Sequence, residues 1–339
     1  ESNDLLLTYC PRAKTGVLRI PTNVYMVGAR ALYGTNLSSI IFEEFDKTDA
    51  NYGKPLLTIG SFNTISVDGQ EYAAIGGPIG YVTSLLYIKF PSHLDTVNSY
   101  ALYNLDKAGK SKDGTPEPPA ELIIEFNVDA TPVTFKNNAI NNNSAIKSLK
   151  LPLVQEMSSG AFASNENLAE LFLPVESPMT LIASNGFTGS MLTSFTVPNN
   201  VTVIEEQAFY TCRQLSSFDW GNSQVTYLGA KAFGYTAFES FKIADTVTMV
   251  GASLFEYNNA LKSVELSRGM TTLFTDSQSV FANCNNLETI PLPAGEAQMK
   301  KDQYGILYSL DGKTVFYCPA NIQYEGILQL PEGVETIEV

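Results

Sequence analysis

The sequence predicts a β-rich solenoid of the α/β type, with about twelve stacked coils of 22–26 residues and one long parallel sheet. Three observations predict it. The first is a repeated sentence: residues 149–174, 195–220 and 241–266 share an apolar-x-apolar start often closed by proline, then Val-x-x-Ile-Gly, then Ala-Phe, then Leu-x-x-apolar-x-apolar. The second is the period of one residue type. Phe162, Phe187, Phe209, Phe233, Phe255 and Phe281 follow one another at 25, 22, 24, 22 and 26 residues, the spacing of a solenoid. The third is that one such coil cannot bury its own apolar face, so the coils must stack and the core of the 339-residue chain grows in one dimension.

Each coil opens with a short strand, read from apolar neighbours flanking Lys150, Phe172, Thr196, Asp219, Lys242 and Glu265. A proline often follows (Pro21, Pro91, Pro152, Pro174, Pro198, Pro293, Pro331) and ends the strand, having no amide hydrogen to donate. A second strand comes next, as in Val24–Val27 or Val247–Val250, with Gly28, Gly60, Gly229 or Gly251 after it. A tight helical turn carrying Ala-Phe or Ala-Leu and an Asn/Ser-rich return complete the coil. The whole of 1–339 reads as one solenoid. Residues 1–147 are diverged coils with insertions at 61–84, a hairpin and loop around Val67-Asp68-Gly69-Gln70, and at 104–120, a polar, mobile surface loop. Residues 148–293 are regular, and 294–339 hold a hairpin over Tyr304–Lys313, turning at Asp311-Gly312, and a terminal coil.

Tyr317-Cys318-Pro319 through Ile337 repeats the pattern of Tyr9-Cys10-Pro11 through Val27. Either the array continues past Val339 or this segment caps it. Its departure from the repeat favours a cap and a natural end nearby. The blunt start at Glu1-Ser2-Asn3-Asp4 fits the trimmed form of a longer precursor.

A net charge of −14 disfavours nucleic acid and anionic membrane surfaces, and no apolar run reaches membrane-spanning length. Cys212 and Cys284 share one slot and Cys10 and Cys318 another. Equivalent slots three coils apart lie beyond disulfide reach, so all four read as reduced, buried small hydrophobes. The single histidine, His93, occupies the polar turn slot of Asn23 and Asn200, where no Ser–His–Asp or Cys–His set can be assembled around it. Glu43, Glu44, Asp46 and Asp49 read as a solvated acidic loop, and Glu205-Glu206 as negative charge before a helical turn. Trp220 falls in the inward slot of Leu151, Val197, Ile243 and Leu266 and reads as core. No catalytic, cofactor or metal site is expected.

The unit Ile-x-Ile-Pro-x-x-Val-x-x-Ile-Gly-x-x-Ala-Phe-x-x-Cys-x-x-Leu resembles the BspA-like leucine-rich repeat family, most clearly over Phe195–Leu215; the Gly-Ile-Leu-Tyr-Ser stretch from Gly305 is also typical of it. Glu205 departs from the usual glycine, and residues 43–147 diverge. The resemblance implies a leucine-rich repeat solenoid on an exported bacterial protein, secreted or anchored at the cell surface, with adhesion to a host extracellular protein as its role.

The residues themselves offer one candidate binding surface, the outward face of the opening strands. One column holds Ser39, Ser148, Ser194, Ser217, Ser240, Ser263 and Thr289, interrupted by Glu170. The next runs Ile41, Lys89, Glu125, Lys150, Phe172, Thr196, Asp219, Lys242, Glu265, where Asp219–Lys242–Glu265 can pair across strands. A sheet that merely keeps itself soluble explains these columns as well, since no aromatic cluster marks a hot spot. Binding of an unknown protein ligand is the leading function; a glycan-binding accessory, or less so a glycosidase, is the alternative.

Overall fold

The structure, a computed structural model, describes the chain apart from residues 1–4, 47, 49–56, 61–63, 68–69, 74–76, 106–108, 111–115, 118–120, 128–130, 271–273, 276–277, 294–298, 320–328 and 338–339. The chain divides into two compact units, one of Glu1–Met179 with Gly186–Leu192 and one of Thr180–Asn185 with Thr193–Val339.

In the first unit every coil gives one strand to each of two parallel sheets. The opening strands Thr15–Ile20, Asn36–Phe42, Tyr87–Lys89, Ile123–Glu125, Ser148–Lys150 and Glu170–Phe172 form one, in chain order. The second strands Leu5–Leu7, Val24–Val27, Leu57–Ile59, Leu94–Val97, Val133–Phe135 and Val154–Met157 form the other. Chain-order parallel pairing is the geometry of a solenoid, where each turn brings the backbone back beside itself. Only the middle residue of a three-residue opening strand points inward, as Leu149 does between Ser148 and Lys150.

The second unit repeats the plan with shorter strands. Leu181–Ile182, Val203–Ile204, Tyr227–Leu228 and Met249–Val250 make a four-stranded parallel sheet. The opening strands pair two by two, Ser194–Thr196 with Ser217–Asp219 and Ser240–Lys242 with Ser263–Glu265, the last bridged to Thr289. Trp220 accounts for the break. In neighbouring coils the residue after the strand donates its backbone amide to the next coil, Val197 to the Asp219 carbonyl and Ile243 to that of Glu265. At Trp220 the indole Nε1 takes the place of that amide and donates to the Lys242 carbonyl at 2.8 Å.

The third side of each coil is a hydrogen-bonded turn, and among the described residues there is no helix. Two left-handed residues flank each central phenylalanine from Phe162 to Phe255, for example Gln207 and Thr211 around Phe209, or Lys231 and Tyr235 around Phe233. A right-handed helix cannot propagate through such positions. Backbone donors turn to the next coil instead: Phe209 N–H to Ala232, Phe233 N–H to Leu254, Phe255 N–H to Val280.

The core is a ladder of rings. All six repeating phenylalanines are buried. Phe209, Phe233, Phe255 and Phe281 stack at 5.7, 5.8 and 5.8 Å, and Phe162 and Phe187 at 5.6 Å. Three residues after each ring lies a buried polar slot. Asn165 Nδ2 donates to the carbonyls of Ile140 and Phe162, and Asn258 Nδ2 to that of Phe233. Cys284 fills the same slot and directs its thiol to the Phe255 carbonyl at 2.9 Å.

The insertion at 61–84 contains the expected hairpin, Thr64–Val67 against Gln70–Ala73, with its Asp68-Gly69 turn outside the described residues. Within 104–120, Gly109–Lys110 and Pro116–Glu117 pair antiparallel, where a structureless loop is expected; most of the rest lies outside the described residues. Near the end, Leu307–Ser309 and Thr314–Tyr317 form the expected hairpin, and Met299–Lys301 adds a third antiparallel strand. Thr336–Ile337 runs parallel to Thr314–Tyr317 in the register of the first coil: Thr314↔Thr336 and Val315↔Ile337 match Leu6↔Met26 and Leu7↔Val27.

Candidate functional site

On the outer face of the first unit's opening-strand sheet, strand register aligns two columns. One runs Val17, Ser39, Tyr87, Ile123; the other runs Arg19, Ile41, Lys89, Glu125, Lys150, Phe172. Val17, Ile123 and Phe172 are exposed. Lys89 Nζ lies 3.1 Å from Glu125, whose other oxygen accepts the Tyr87 hydroxyl at 2.5 Å. These donors, Tyr87 first and Lys89 next, hold the Glu125 carboxyl below its ordinary value. Burial and the bond to Glu125 push the Tyr87 phenol up to about 12, so it stays a donor. Lys150 Nζ sits 5.5 Å from the Phe172 ring centroid, a cation–π pair on open surface. The sequence columns already carry Ile41 and Phe172 on this face, and the structure adds Tyr87 and Ile123 to it. Tyr87 and Ile123 stand in the serine column of the diverged coils, two residues before Lys89 and Glu125.

In the second unit Ser194 faces Ser217, Thr196 faces Asp219, and Ser240 and Lys242 face Ser263 and Glu265. Lys242 and Glu265 pair at 2.7 Å. Asp219 does not extend the pair, because its carboxylate accepts the Gly221 N–H at 2.9 Å. Trp220 is half-buried rather than core, edge-on to Phe218 and Phe241.

His93 is the larger correction. It lies in a turn but is only 2% exposed, its ring 4.8 Å from Phe45, with no partner for Nδ1 among the described residues. Burial lowers its pKa, opposed in part by Glu44. The acidic run beside it is engaged rather than merely solvated. Glu43 pairs with Arg19 at 3.2 Å, and Glu44 accepts the Ser92 amide, the Ser92 hydroxyl and the Asn127 amide. Asp46 caps Thr48, and Asp49 lies outside the described residues. Glu205 likewise accepts the Ser184 amide and hydroxyl, which accounts for a glutamate in the glycine slot. These carboxylates tie coils and turns together.

None of the four cysteines is in a disulfide; Cys10, Cys212 and Cys284 are buried, but Cys318 is exposed, against the expectation. Among the described residues no helix is long and apolar enough to cross a membrane.

The pattern described as BspA type leucine rich repeat region matches the chain in six copies, over residues 13–109, 122–190 and 180–305. The chain belongs to the BspA-type leucine-rich repeat family. A leucine-rich repeat protein of Bacteroides ovatus shares its fold at 18% identity and a TM-score of 0.51, over 70% of this BspA-type chain and 63% of that one. The chain thus spans less than two thirds of that protein's length. A leucine rich cell surface protein of Faecalibacterium prausnitzii is similar at 19% identity and a TM-score of 0.50, over 87% and 80% of the two chains. No curated protein matches.

Proposed function

We propose that this chain is a non-catalytic binding protein, secreted or anchored at the cell surface, that holds a protein ligand on the outer face of its opening-strand sheet. The observation that carries the reading is the exposure of Val17 (52%), Ile123 (54%) and Phe172 (57%) on regular strands of one face. Apolar side chains exposed on one sheet face offer contact area to a partner. Lys89, Glu125 and Lys150 among them supply the charged groups that set register with a partner. In the second unit the same strands carry Ser194, Ser217, Ser240 and Ser263 beside Thr196, Asp219, Lys242 and Glu265, and the small hydroxyls allow close approach.

Surface location draws support from the family and from the Faecalibacterium relative, described as a cell surface protein. The chain's charge of −14 argues for a protein over nucleic acid or an anionic membrane. A host extracellular protein is the partner class this reading favours.

The test is binding to a panel of extracellular-matrix proteins by the native chain and by Ile123→Ser/Phe172→Ser. The expected result is a matrix protein whose affinity falls about tenfold or more in the variant, with melting unchanged. An unaltered affinity, or no binder in the panel, overturns the reading. A glycan-array hit without a protein hit overturns it in favour of the glycan-binding accessory.

A further inference from the structure

Each turn of the solenoid holds a left-handed residue two positions after its central apolar residue. Gly34, Asn104, Asn142, Gly189 and Asn283 fill that position with the residue types that tolerate it. Ser164 and Thr211 fill it in two other coils, and Tyr81, Tyr235 and Tyr257 fill it with bulky rings at φ of 58°, 57° and 57°. A large side chain in this region is a conformational cost, and such costs concentrate where a protein binds something.

Of these tyrosines, Tyr235 and Tyr257 form one array with Tyr210. Tyr210 meets Tyr235 edge-on at 5.4 Å, and Tyr235 stacks on Tyr257 at 4.7 Å and 18°. Gly234 makes room for this: a Cβ there would come within 2.9 Å of the Tyr210 ring. Beneath the rings, buried Glu256 pairs with Lys231 at 3.3 Å and hydrogen-bonds Tyr210. Above them, exposed Arg213 places its guanidinium 5.1 Å from the Tyr235 ring, with no ion pair among the described residues. Tyr257 is 41% exposed. The result is a fixed aromatic surface with one uncommitted cation.

We propose that the Tyr210–Tyr235–Tyr257 array with Arg213, on the turn side of the second unit, is a second binding face that takes a carboxylate-bearing segment of a protein partner. The proposal rests on the reading of this chain as a protein binder and adds a face apart from the sheet. Tyrosine and arginine are the side chains that carry interface energy, because they present rigid area with a polar tip. A protein segment suits the array better than a sugar. Sugar stacking needs open ring faces, and the stack covers one face each of Tyr235 and Tyr257, with Tyr210 and Arg213 also against Tyr235. The guanidinium calls for a carboxylate, which it can hold through two hydrogen bonds.

The test pans a random-peptide display library on the whole chain. Enriched peptides are titrated on the native protein, on Tyr235→Asn/Tyr257→Asn, on Arg213→Glu, and on the sheet-face variant Ile123→Ser/Phe172→Ser. Asparagine is native to this position in other coils, so the double variant keeps the turn. Its melting temperature is expected to stay or rise. The expected peptides carry Asp or Glu beside an apolar residue, bind about tenfold or more weakly to both array variants, and bind the sheet-face variant unchanged. Peptides that lose affinity only on the sheet-face variant overturn the proposal and leave the sheet reading standing. Peptides without acidic residues, or equal affinity for the array variants, also overturn it. Absence of any enriched peptide counts against both readings, and a glycan bound through the array replaces the partner class and overturns this one.

Discussion

At the scale of single residues, His93 shows how a repeat position changes character with its neighbours. Asn23 and Asn200 sit in the same turn slot with some contact to water, whereas His93 is closed in by Phe45 and the chain beside Glu44. Its folded pKa is lowered from 6.5, so the unfolded chain takes up the proton first as the pH falls. The neutral ring therefore contributes stability that is whole above pH 6.5 and is lost as the pH drops below it towards the folded value. Thermal melts of the native protein between pH 7.5 and pH 5 should show this loss, and His93→Asn should flatten it. Carboxylates held low, such as Glu125, Glu156 and Asp311, act in a separate window below about pH 4.5. Identical slopes for both proteins in the upper window would show that His93 is not the group involved.

At the scale of the coil, glycine after the second strand sets how closely successive turns approach. A Cβ at Gly251 would stand 2.2 Å from the Ala230 amide nitrogen, and one at Gly229 would stand 2.3 Å from that of Glu206. The clash is with backbone, so a side chain cannot simply move aside. Gly251→Ala should cost about 1–3 kcal/mol, the range for overpacking a filled interior, read as a lower denaturation midpoint. A loss within error would mean that the coils have slack at this position. The ion pairs on the outer strands, such as Lys242–Glu265, are solvent-exposed and add little to stability by comparison.

At the scale of the whole chain, stacking does the work that disulfides do in small exported domains. The rings, the buried asparagines and the amides handed from coil to coil stabilise every turn against its neighbours. Burial raises the thiol pKa of Cys10, and raises that of Cys284 to about 12, which suppresses the reactive thiolate. Thiol titration should find all four cysteines in the denatured, unreduced protein. In the native protein Cys318 should react first and the three buried thiols slowly. Fewer than four thiols after denaturation would reveal a cross-link and contradict the stacked geometry.

The sequence by itself determined the solenoid, because one residue type recurring at a coil's length leaves few ways to bury it. It also placed the buried phenylalanines, the hairpins around Val67–Gln70 and over Tyr304–Lys313, and the columns through Lys150, Phe172, Lys242 and Glu265, since strand alternation assigns faces without further information. The tertiary structure alone decided what depends on neighbours distant in sequence. The bond from the Tyr87 hydroxyl to Glu125 crosses 38 residues of sequence. The burial of His93 depends on Phe45, nearly fifty residues away. The split of the opening strands follows from one indole nitrogen replacing a backbone donor at Trp220, and the tyrosine array follows from left-handed φ values that no periodicity records. Periodicity reports which side of an element faces the core; it does not report which coil supplies the contact.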